Sequence, residues 1–586
     1  MAKREESYYG RQLNTNVFRR LMTYARPYWL WILAAILLVL FLTTLELYKP
    51  VLEGYVIDEI VTNRSFSKIK GIALRYIFVL TGFYLSNILQ TMILQYMGQN
   101  IIYNIRQELY QHVHSLSLRF FDITPVGKLV TRITNDVEAL NEMYSTIIIK
   151  LFRNLVKIIG LVIVMFYHNV RLAVYSITLL PLIIVLTIIF RKISRATYRI
   201  ARTKLTTVNT FLSEHISGMK FIQIFAKEKE KYQEFETKSK DLYKANFREI
   251  MVFAIFRPII YFLSVVALAI VLDLGSYLVI EGGITIGILY IFVNYVNSFF
   301  QPIQEMAEQL GVLQSAMASA EKIFSIMDEE PLITNKPNPV RRTKFEGKIE
   351  FENVWFAYED DNWILKDVSF TIEPGMSAAF VGATGAGKSS ILNLIGRYYD
   401  IQKGSIKIDD IDIRDLHTDD LRRAIGQVQQ DVFIFTGDIK TNIRLFNKSI
   451  TDKEIEEAAS YVNANSFIDK LPGKYDEPVM ERGATLSSGE RQLLSFARTL
   501  AYNPSILVLD EATANIDTET EKLIQDALGK LMQGRTTIMV AHRLSTIQHA
   551  DKIFVMHKGK IIESGTHQDL LKLDGMYKKL YDLQVQ

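Results

Sequence analysis

Ser377-Ala378-Ala379-Phe380-Val381-Gly382-Ala383-Thr384-Gly385-Ala386-Gly387-Lys388-Ser389 is an apolar run that ends in the pattern G-x-x-x-x-G-K-S. Ala378–Val381 predicts a buried strand, and Ser390–Tyr398 predicts a helix behind it. The glycines between them let backbone N–H groups turn inward and cradle phosphates. Lys388 sets its charge against the outer phosphates, and the Ser389 hydroxyl is placed to ligate Mg²⁺. The candidate nucleotide-contacting residues are therefore Gly382, Thr384, Gly385, Gly387, Lys388, Ser389 and Ser390. The bland alternative, a glycine-rich surface turn, does not account for an apolar strand before it and a helix after it.

Around this loop, short β-rich runs alternate with helical ones: Ile349–Phe351, Ser377–Val381, Ile506–Leu509, Thr537–Val540 and Ile553–Met556. That alternation predicts an α/β domain over 348–586. Ile506-Leu507-Val508-Leu509 reads as a buried strand that delivers two carboxylates. Asp510 suits Mg²⁺ through water, and Glu511 stands where a general base for an attacking water belongs. Taken alone, the pair would pass for a solvated acidic turn. Beside a phosphate loop it reads as the other half of a phosphate site.

Upstream the chain changes character. The polar stretch 328–347, with Pro331, Pro337 and Pro339, reads as a linker. Before it, 1–327 contains six runs long and apolar enough to cross a bilayer: about 28–48, 69–97, 147–167, 172–190, 252–280 and 284–303. Hydrophobic residues make up 49% and charged residues 22% of the 586, with mean hydropathy +0.12, a compromise that only two unlike halves explain.

Lys and Arg gather before the first run (Arg19, Arg20, Arg26), between the second and third, and between the fourth and fifth. The opposite connections, such as His168-Asn169-Val170, are short. By the positive-inside rule both termini are expected in the cytoplasm. The N-terminus lacks the pattern of a removable signal peptide, so the first span is expected to target the chain. Asn104–Ser117 and Arg202–Phe235 carry helical periodicity, so the membrane helices are expected to extend well into the cytoplasm. Their tips are expected near Thr124–Val130 and Thr210–Gly218. A net charge of +4 calls for no nucleic-acid partner. The absence of Cys excludes disulfides, thiolate metal sites and cysteine nucleophiles.

Leu486-Ser487-Ser488-Gly489-Glu490 lies some twenty residues before the strand ending in Asp510, directly after Glu481-Arg482-Gly483. With the phosphate loop and the membrane spans, it makes the chain resemble ATP-binding-cassette exporters of the multidrug and lipid type over nearly its whole length. The usual signature there is Leu-Ser-Gly-Gly-Gln. The resemblance implies ATP and Mg²⁺ as cofactors and a bacterial plasma-membrane location. Tyr358 resembles the aromatic that stacks on adenine. Gln430 resembles the glutamine that contacts Mg²⁺ and the water, Asp517 the D-loop aspartate, and His542 the switch histidine near the γ-phosphate. Ser487 and Gly489 belong to the segment that serves the partner's nucleotide, so two cassettes must meet to complete either site. The fold expected is a six-span α-helical transmembrane domain with long cytoplasmic helical extensions, followed by an α/β P-loop ATP-binding cassette.

Two signature positions depart from the family pattern: Ser488 adds a Cβ, and Glu490 adds a negative charge beside an anion site. The departures resemble one half of heterodimeric bacterial exporters, with this chain supplying competent P-loop, Glu511 and His542. A homodimer tolerating a divergent signature is the alternative. The cargo implied is hydrophobic or amphipathic: drugs, lipids or peptides. Glu46, Asp273, Glu305 and Glu308 in or near the spans would favour cationic cargo if they face a cavity. They would be inert if Glu46 and Asp273 sit at the outer interface and the other two in the cytoplasmic extension. An ATP-gated channel or signalling protein is the reading from a different class.

Overall fold

The computed structural model describes residues 15–61, 66, 68–359, 362–510, 518–540 and 547–585. The chain forms two compact units, one of Met1–His114 with Val126–Glu329 and the other of Ser115–Pro125 with Glu330–Gln586.

The first unit is all helix: α1 (Thr15–Ala25), α2 (Trp29–Val61), α3 (Ile69–Ser115), then α4 (Leu118–Ile123), which belongs to the second unit. There follow α5 (Val126–Thr131), α6 (Val137–Glu142), α7 (Ile148–His168), α8 (Val170–Ile177), α9 (Leu180–Ser217), α10 (Met219–Ile224), α11 (Glu228–Ile280) and α12 (Ile286–Met327). Among the described residues, five helical stretches are long and apolar enough to cross a membrane: 15–61, 69–115, 170–217, 228–280 and 286–327. The run expected as the third span is α7, a 21-residue helix whose first half carries Lys150, Arg153 and Lys157; it is not among these five, so five of the six expected spans are found among the described residues. It packs against both α2 and α12.

The helices outrun the apolar runs that announced them. α2 continues through Pro50 to Val61, so Glu46 lies inside the helix rather than at its outer end. α3 reaches Ser115, as its periodicity predicts. The second helical reversal lies beyond the expected 210–218. α9 runs to Ser217, Gly218 breaks it, and the reversal is built from α10 and the turn Phe225-Ala226-Lys227. A glycine alone cannot say on which side of itself the chain turns back.

From Val126 to His168 the chain is one helical rod with two five-residue π-helical stretches, Arg132–Asp136 and Met143–Ile147. The first presents a buried ion pair. The Arg132 guanidinium lies 2.5 Å from the Asp136 carboxylate, and the Ser319 hydroxyl of α12 donates to Asp136 at 2.6 Å. Near the other end, α2 and α12 meet through Gly54 and Gly287. A Cβ on Gly287 would lie 2.3 Å from the Gly54 carbonyl oxygen, so only glycine permits the approach. Asp58 accepts from the Gly287 N–H at 2.7 Å and the Thr285 hydroxyl at 2.7 Å, which caps α12.

The second unit carries twelve strands. β1 (Ile349–Ala357), β2 (Trp363–Ile372), β4 (Lys403–Ile408) and β5 (Ile411–Asp412) form an antiparallel sheet in the order β2-β1-β4-β5. β7 (Gly437–Asp438) and β8 (Pro478–Val479) form a small pair. The main sheet joins β3 (Ser377–Val381), β6 (Ile425–Val428), β9 (Ile506–Asp510), β10 (Thr536–Val540), β11 (Lys552–His557) and β12 (Lys560–Gly565) in the order β12-β11-β3-β10-β9-β6. All its pairings except β11–β12 are parallel.

Both faces of this sheet are buried. Ala379, Val381, Leu507, Leu509 and Met539 enter one core, and Ala378, Phe380, Ile506, Val508, Ile538 and Val540 enter the other. That is why the strands read as unbroken apolar runs rather than as alternation.

The Arg132–Asp136–Ser319 cluster gives a stability prediction. Asp136→Ala removes the carboxylate facing a buried guanidinium and should cost about 3–5 kcal/mol, whereas Ser319→Ala removes one hydrogen bond worth about 1 kcal/mol. Thermal unfolding in lipid nanodiscs should rank wild type above Ser319→Ala and both above Asp136→Ala. Equal midpoints for the two variants would show that the cluster is not holding the helices.

Candidate functional site: the phosphate loop and the signature helix

The site begins at the C-terminal ends of parallel strands, where open α/β sheets bind ligands. Val540 of β10 is level with Phe380 of β3 and with Asp510 of β9, so the phosphate loop after Val381 and the carboxylate at Asp510 emerge on one edge of the sheet. Gln430 follows β6 on the same edge and is exposed. Glu511, Asp517 and His542 lie outside the described residues.

The loop is built for close approach. Gly382 has φ +152°, and a Cβ there would lie 2.3 Å from the Met556 carbonyl oxygen. Gly387 has φ +101°, and a Cβ there would meet Leu365 at 2.7 Å. Helix α13 (Lys388–Ile395) starts immediately behind it. Lys388 is only 7% exposed, and its ammonium donates to the Gly382 and Ala383 carbonyl oxygens at 2.7 and 3.2 Å, so the charge is held inside the loop. Thr384, Gly385 and Ser389 are exposed along the loop rim, while Ser390 is buried behind it. A buried cation inside a loop with glycines where side chains would intrude fits a polyphosphate. Asp510 and Ser389 supply oxygen ligands suited to Mg²⁺. Among the described residues no group of three or more His, Asp or Glu could hold a metal by itself.

Tyr358, just past β1, is half-buried, its ring edge-on to Tyr399 with centroids 5.0 Å apart. Its hydroxyl bonds to Ser390 at 3.2 Å, which sets the ring beside α13. The backbone just before it is clamped by Gln402, which accepts from the Ala357 N–H at 3.0 Å and donates to the Ala357 carbonyl at 2.9 Å. The sequence reading missed Gln402, because nothing in a glutamine after a turn signals a reciprocal clamp on a distant strand. It also missed the partnership of Tyr399 and Asp122. The Tyr399 O–H donates to the Asp122 carboxylate of the Ser115–Pro125 segment, which belongs to the same compact unit. Burial, reinforced by that carboxylate, pushes the Tyr399 phenol well above the ordinary tyrosine range.

The signature segment opens helix α14 (Ser488–Ala501). Ser487 is the N-cap and Glu490 the N3 residue of a full capping box. The Ser487 hydroxyl accepts from the Glu490 N–H at 3.2 Å, and the Glu490 carboxylate accepts from the Ser487 N–H at 2.7 Å. Glu490 is thus more than a charge at the helix start, since it already holds the Ser487 N–H. Ser488 is exposed at the first helical position, and Gly489 is buried behind it. The Arg491 guanidinium donates to the Leu486 carbonyl at 2.6 Å and holds the entry to the helix. Further along α14, Arg498 donates to the carbonyl oxygens of Phe433 and Asn442 at 3.1 and 2.9 Å. Asn442 in turn brackets Phe435 through its N–H and C=O, at 2.9 Å each. The segment after Gln430 is therefore tied to the signature helix through Arg498. Burial lowers the Arg498 pKa, yet a guanidinium remains charged at any physiological pH.

With this geometry in hand, the likeness to known proteins is specific. Residues 32–303 match the ABC transporter transmembrane region, and residues 365–514 match the ABC transporter family. The chain is 36% identical over 569 residues to an ATP-dependent lipid A-core flippase of Syntrophus aciditrophicus, covering 97% of this chain and 94% of that one. It is 40% identical over 499 residues to the "Probable multidrug resistance ABC transporter ATP-binding/permease protein YheH" of Bacillus subtilis, covering 84% and 74%. A bacterial Atm1-family ABC exporter with ATP bound superposes with a TM-score of 0.79 at 26% identity, covering 95% of this chain and 98% of that one. The phosphate loop, the capped signature helix and the long membrane helices are parts of one machine, and the chain belongs to the ABC transporter family as a membrane-spanning exporter with its ATP-binding domain on the same polypeptide.

Proposed function

We propose that the protein hydrolyses ATP to export hydrophobic or amphipathic compounds across a bacterial plasma membrane, as one subunit of a dimer, with both termini in the cytoplasm. The observation that carries this reading is the buried Lys388 inside the glycine loop that follows β3, on the same sheet edge as Asp510, in a chain whose other unit is built of membrane-length helices. In this reading 1–327 is the transmembrane domain, 328–347 the linker and 348–586 the cassette. Lys388 and the loop N–H groups bind phosphates, and Tyr358 stacks on adenine. Ser389, Gln430 and Asp510 hold Mg²⁺, which when bound neutralises charge on the transferred phosphate. Glu511 takes the proton of the attacking water, and His542 and Asp517 complete the site. Ser487 and Gly489 serve the partner's nucleotide. Closure of two cassettes on ATP then shifts the membrane helices outward, and hydrolysis resets them.

The two departures from the usual signature, Ser488 and Glu490, are our ground for a heterodimer over a homodimer. Ser488 and Glu490 burden the nucleotide site that this chain completes for its partner, while its own phosphate loop carries no such burden. A partner with an unencumbered signature would pair best with this chain's hydrolytic residues.

The deciding experiment is Mg-ATP hydrolysis by the chain alone in lipid nanodiscs, beside Glu511→Gln. Loss of the base should lower turnover by roughly 10²–10⁴-fold. Turnover that appears only on co-expression with a second cassette chain supports the heterodimer. Robust turnover by the chain alone defeats it, and insensitivity to Glu511→Gln defeats the assignment of the base.

Glu490→Gln keeps the acceptor of the capping box and removes its charge. Helix-terminal charges are worth about 0.3–1 kcal/mol. ATP-driven cassette dimerisation should therefore strengthen severalfold, as read by crosslinking against ATP concentration. Tyr399→Phe cuts the bond to Asp122 without touching the phosphate loop. Cargo transport should fall more than ATP hydrolysis in that variant, measured side by side in proteoliposomes.

A further inference from the structure

Strands β1 and β4 pair in a regular antiparallel register from Ile349 with Ile408 to Glu352 with Ser405, and then slip, so that Trp355 faces Lys403. The slip puts one extra residue on β1. Asn353 takes it up with φ +48°. Gly404 on β4 has φ +90°, and a Cβ there would lie 2.4 Å from the Glu352 carbonyl oxygen. This is a β-bulge, and a bulge re-aims the strand beyond it. What lies beyond is Ala357 and then Tyr358.

Past the bulge the main-chain ladder runs out. The Gln402 N–H donates to the Trp355 carbonyl at 3.2 Å, and β4 begins only at Lys403. Two residues on, Ala357 presents its own N–H and C=O to the same side, because strand residues alternate. The Gln402 side chain meets both. Its carbonyl oxygen accepts from the Ala357 N–H at 3.0 Å, and its amide nitrogen donates to the Ala357 carbonyl at 2.9 Å. A primary amide carries the donor and the acceptor of a peptide group, so it extends the ladder by one rung without main chain. Of the side chains this long, only glutamine carries both.

Tyr358 hangs from that rung. Its far end is fixed as well: the hydroxyl bonds to Ser390 at 3.2 Å and accepts from the Asn393 amide at 3.5 Å, both on α13 behind the phosphate loop. Phe356 and Tyr399 meet its ring nearly edge-on, with centroids 4.7 and 5.0 Å away. The ring is therefore held at its root by Gln402 and at its tip by α13, which sets its spacing from the phosphate loop. A platform ordered before its ligand arrives binds more tightly, because the ordering cost is not subtracted from the contact.

We propose that Gln402 is a positioning residue for the nucleobase: its side-chain amide replaces a peptide group at the end of the β1–β4 ladder and so holds Tyr358 ready to stack on adenine. The proposal rests on the reading of Tyr358 given above and adds to it the device that orders the ring. Gln402 itself touches the Ala357 backbone and not the phosphate loop, so its contribution belongs to the base and leaves phosphate binding alone.

The test is equilibrium binding to the full-length chain in lipid nanodiscs, by calorimetry. The probes are Mg-ADP, which is not turned over, and Mg-pyrophosphate, which has no base. Gln402 is exposed, so substitutions there leave the cassette core intact. Gln402→Ala should weaken ADP about threefold to tenfold and leave pyrophosphate unchanged. Gln402→Glu keeps the acceptor and loses the donor, and should fall between the two. Tyr358→Ala should weaken ADP by about tenfold or more, as loss of a stacking partner does. Adding Gln402→Ala to Tyr358→Ala should then cost nothing further, since both act through one ring. Unchanged ADP binding in Tyr358→Ala defeats the adenine reading itself. A loss in Tyr358→Ala with none in Gln402→Ala overturns the positioning role alone. Equal losses for ADP and pyrophosphate in Gln402→Ala, or losses that add in the double variant, overturn it too, since they mark a cassette loosened as a whole.

Discussion

Strand β10 pairs in parallel with β3 on one side and with β9 on the other, and the nucleotide site depends on that double register. Val540 is opposite both Phe380 and Asp510, so the phosphate loop and the Asp510 carboxylate start from the same level though over 120 residues part them in sequence. A slip of one residue in either pairing would turn every side chain of the strand to the opposite core. Because both faces of the sheet are buried, such a slip would exchange the whole sets that fill the two clusters. The packing that stabilises the cassette is thus the same constraint that aligns its chemistry.

From this edge the structure reaches outward by polar clamps. Gln402 fixes the backbone before Tyr358, and Arg498 ties the segment after Gln430 to the signature helix. Tyr399 holds Asp122 from the Ser115–Pro125 segment. The capping box closes the start of the signature helix, with the Ser487 N–H bonded to Glu490.

In the membrane unit the governing constraint is the cost of charge away from water. Glu46, Glu53 and Glu305 have found donors, and three cations lie on one face of α7. The same cations explain why this helix stands apart from the five long apolar ones.

The strand–loop–helix at 377–395, the acidic strand end at Asp510, the signature at Ser487–Glu490 and the apolar spans were legible in the sequence, because local periodicity and short motifs record what a segment does with its own backbone. Helix ends and turns were less so. α2 passes through Pro50, since a helix flanked by others tolerates a proline that local rules treat as a boundary, and the turn expected before Gly218 lies after it. What only the tertiary structure decided was partnership. Glu46 reads as a lone carboxylate in an apolar run until Arg153 and Lys157, over 100 residues away, are seen to hold it. Gln402, Asn442 and Arg498 read as surface polars until their backbone partners appear. Sequence by itself determined the chemistry each segment could perform. The charge pairing and the clamps that set those chemistries against one another arise from contacts between distant segments, and no local pattern encodes them.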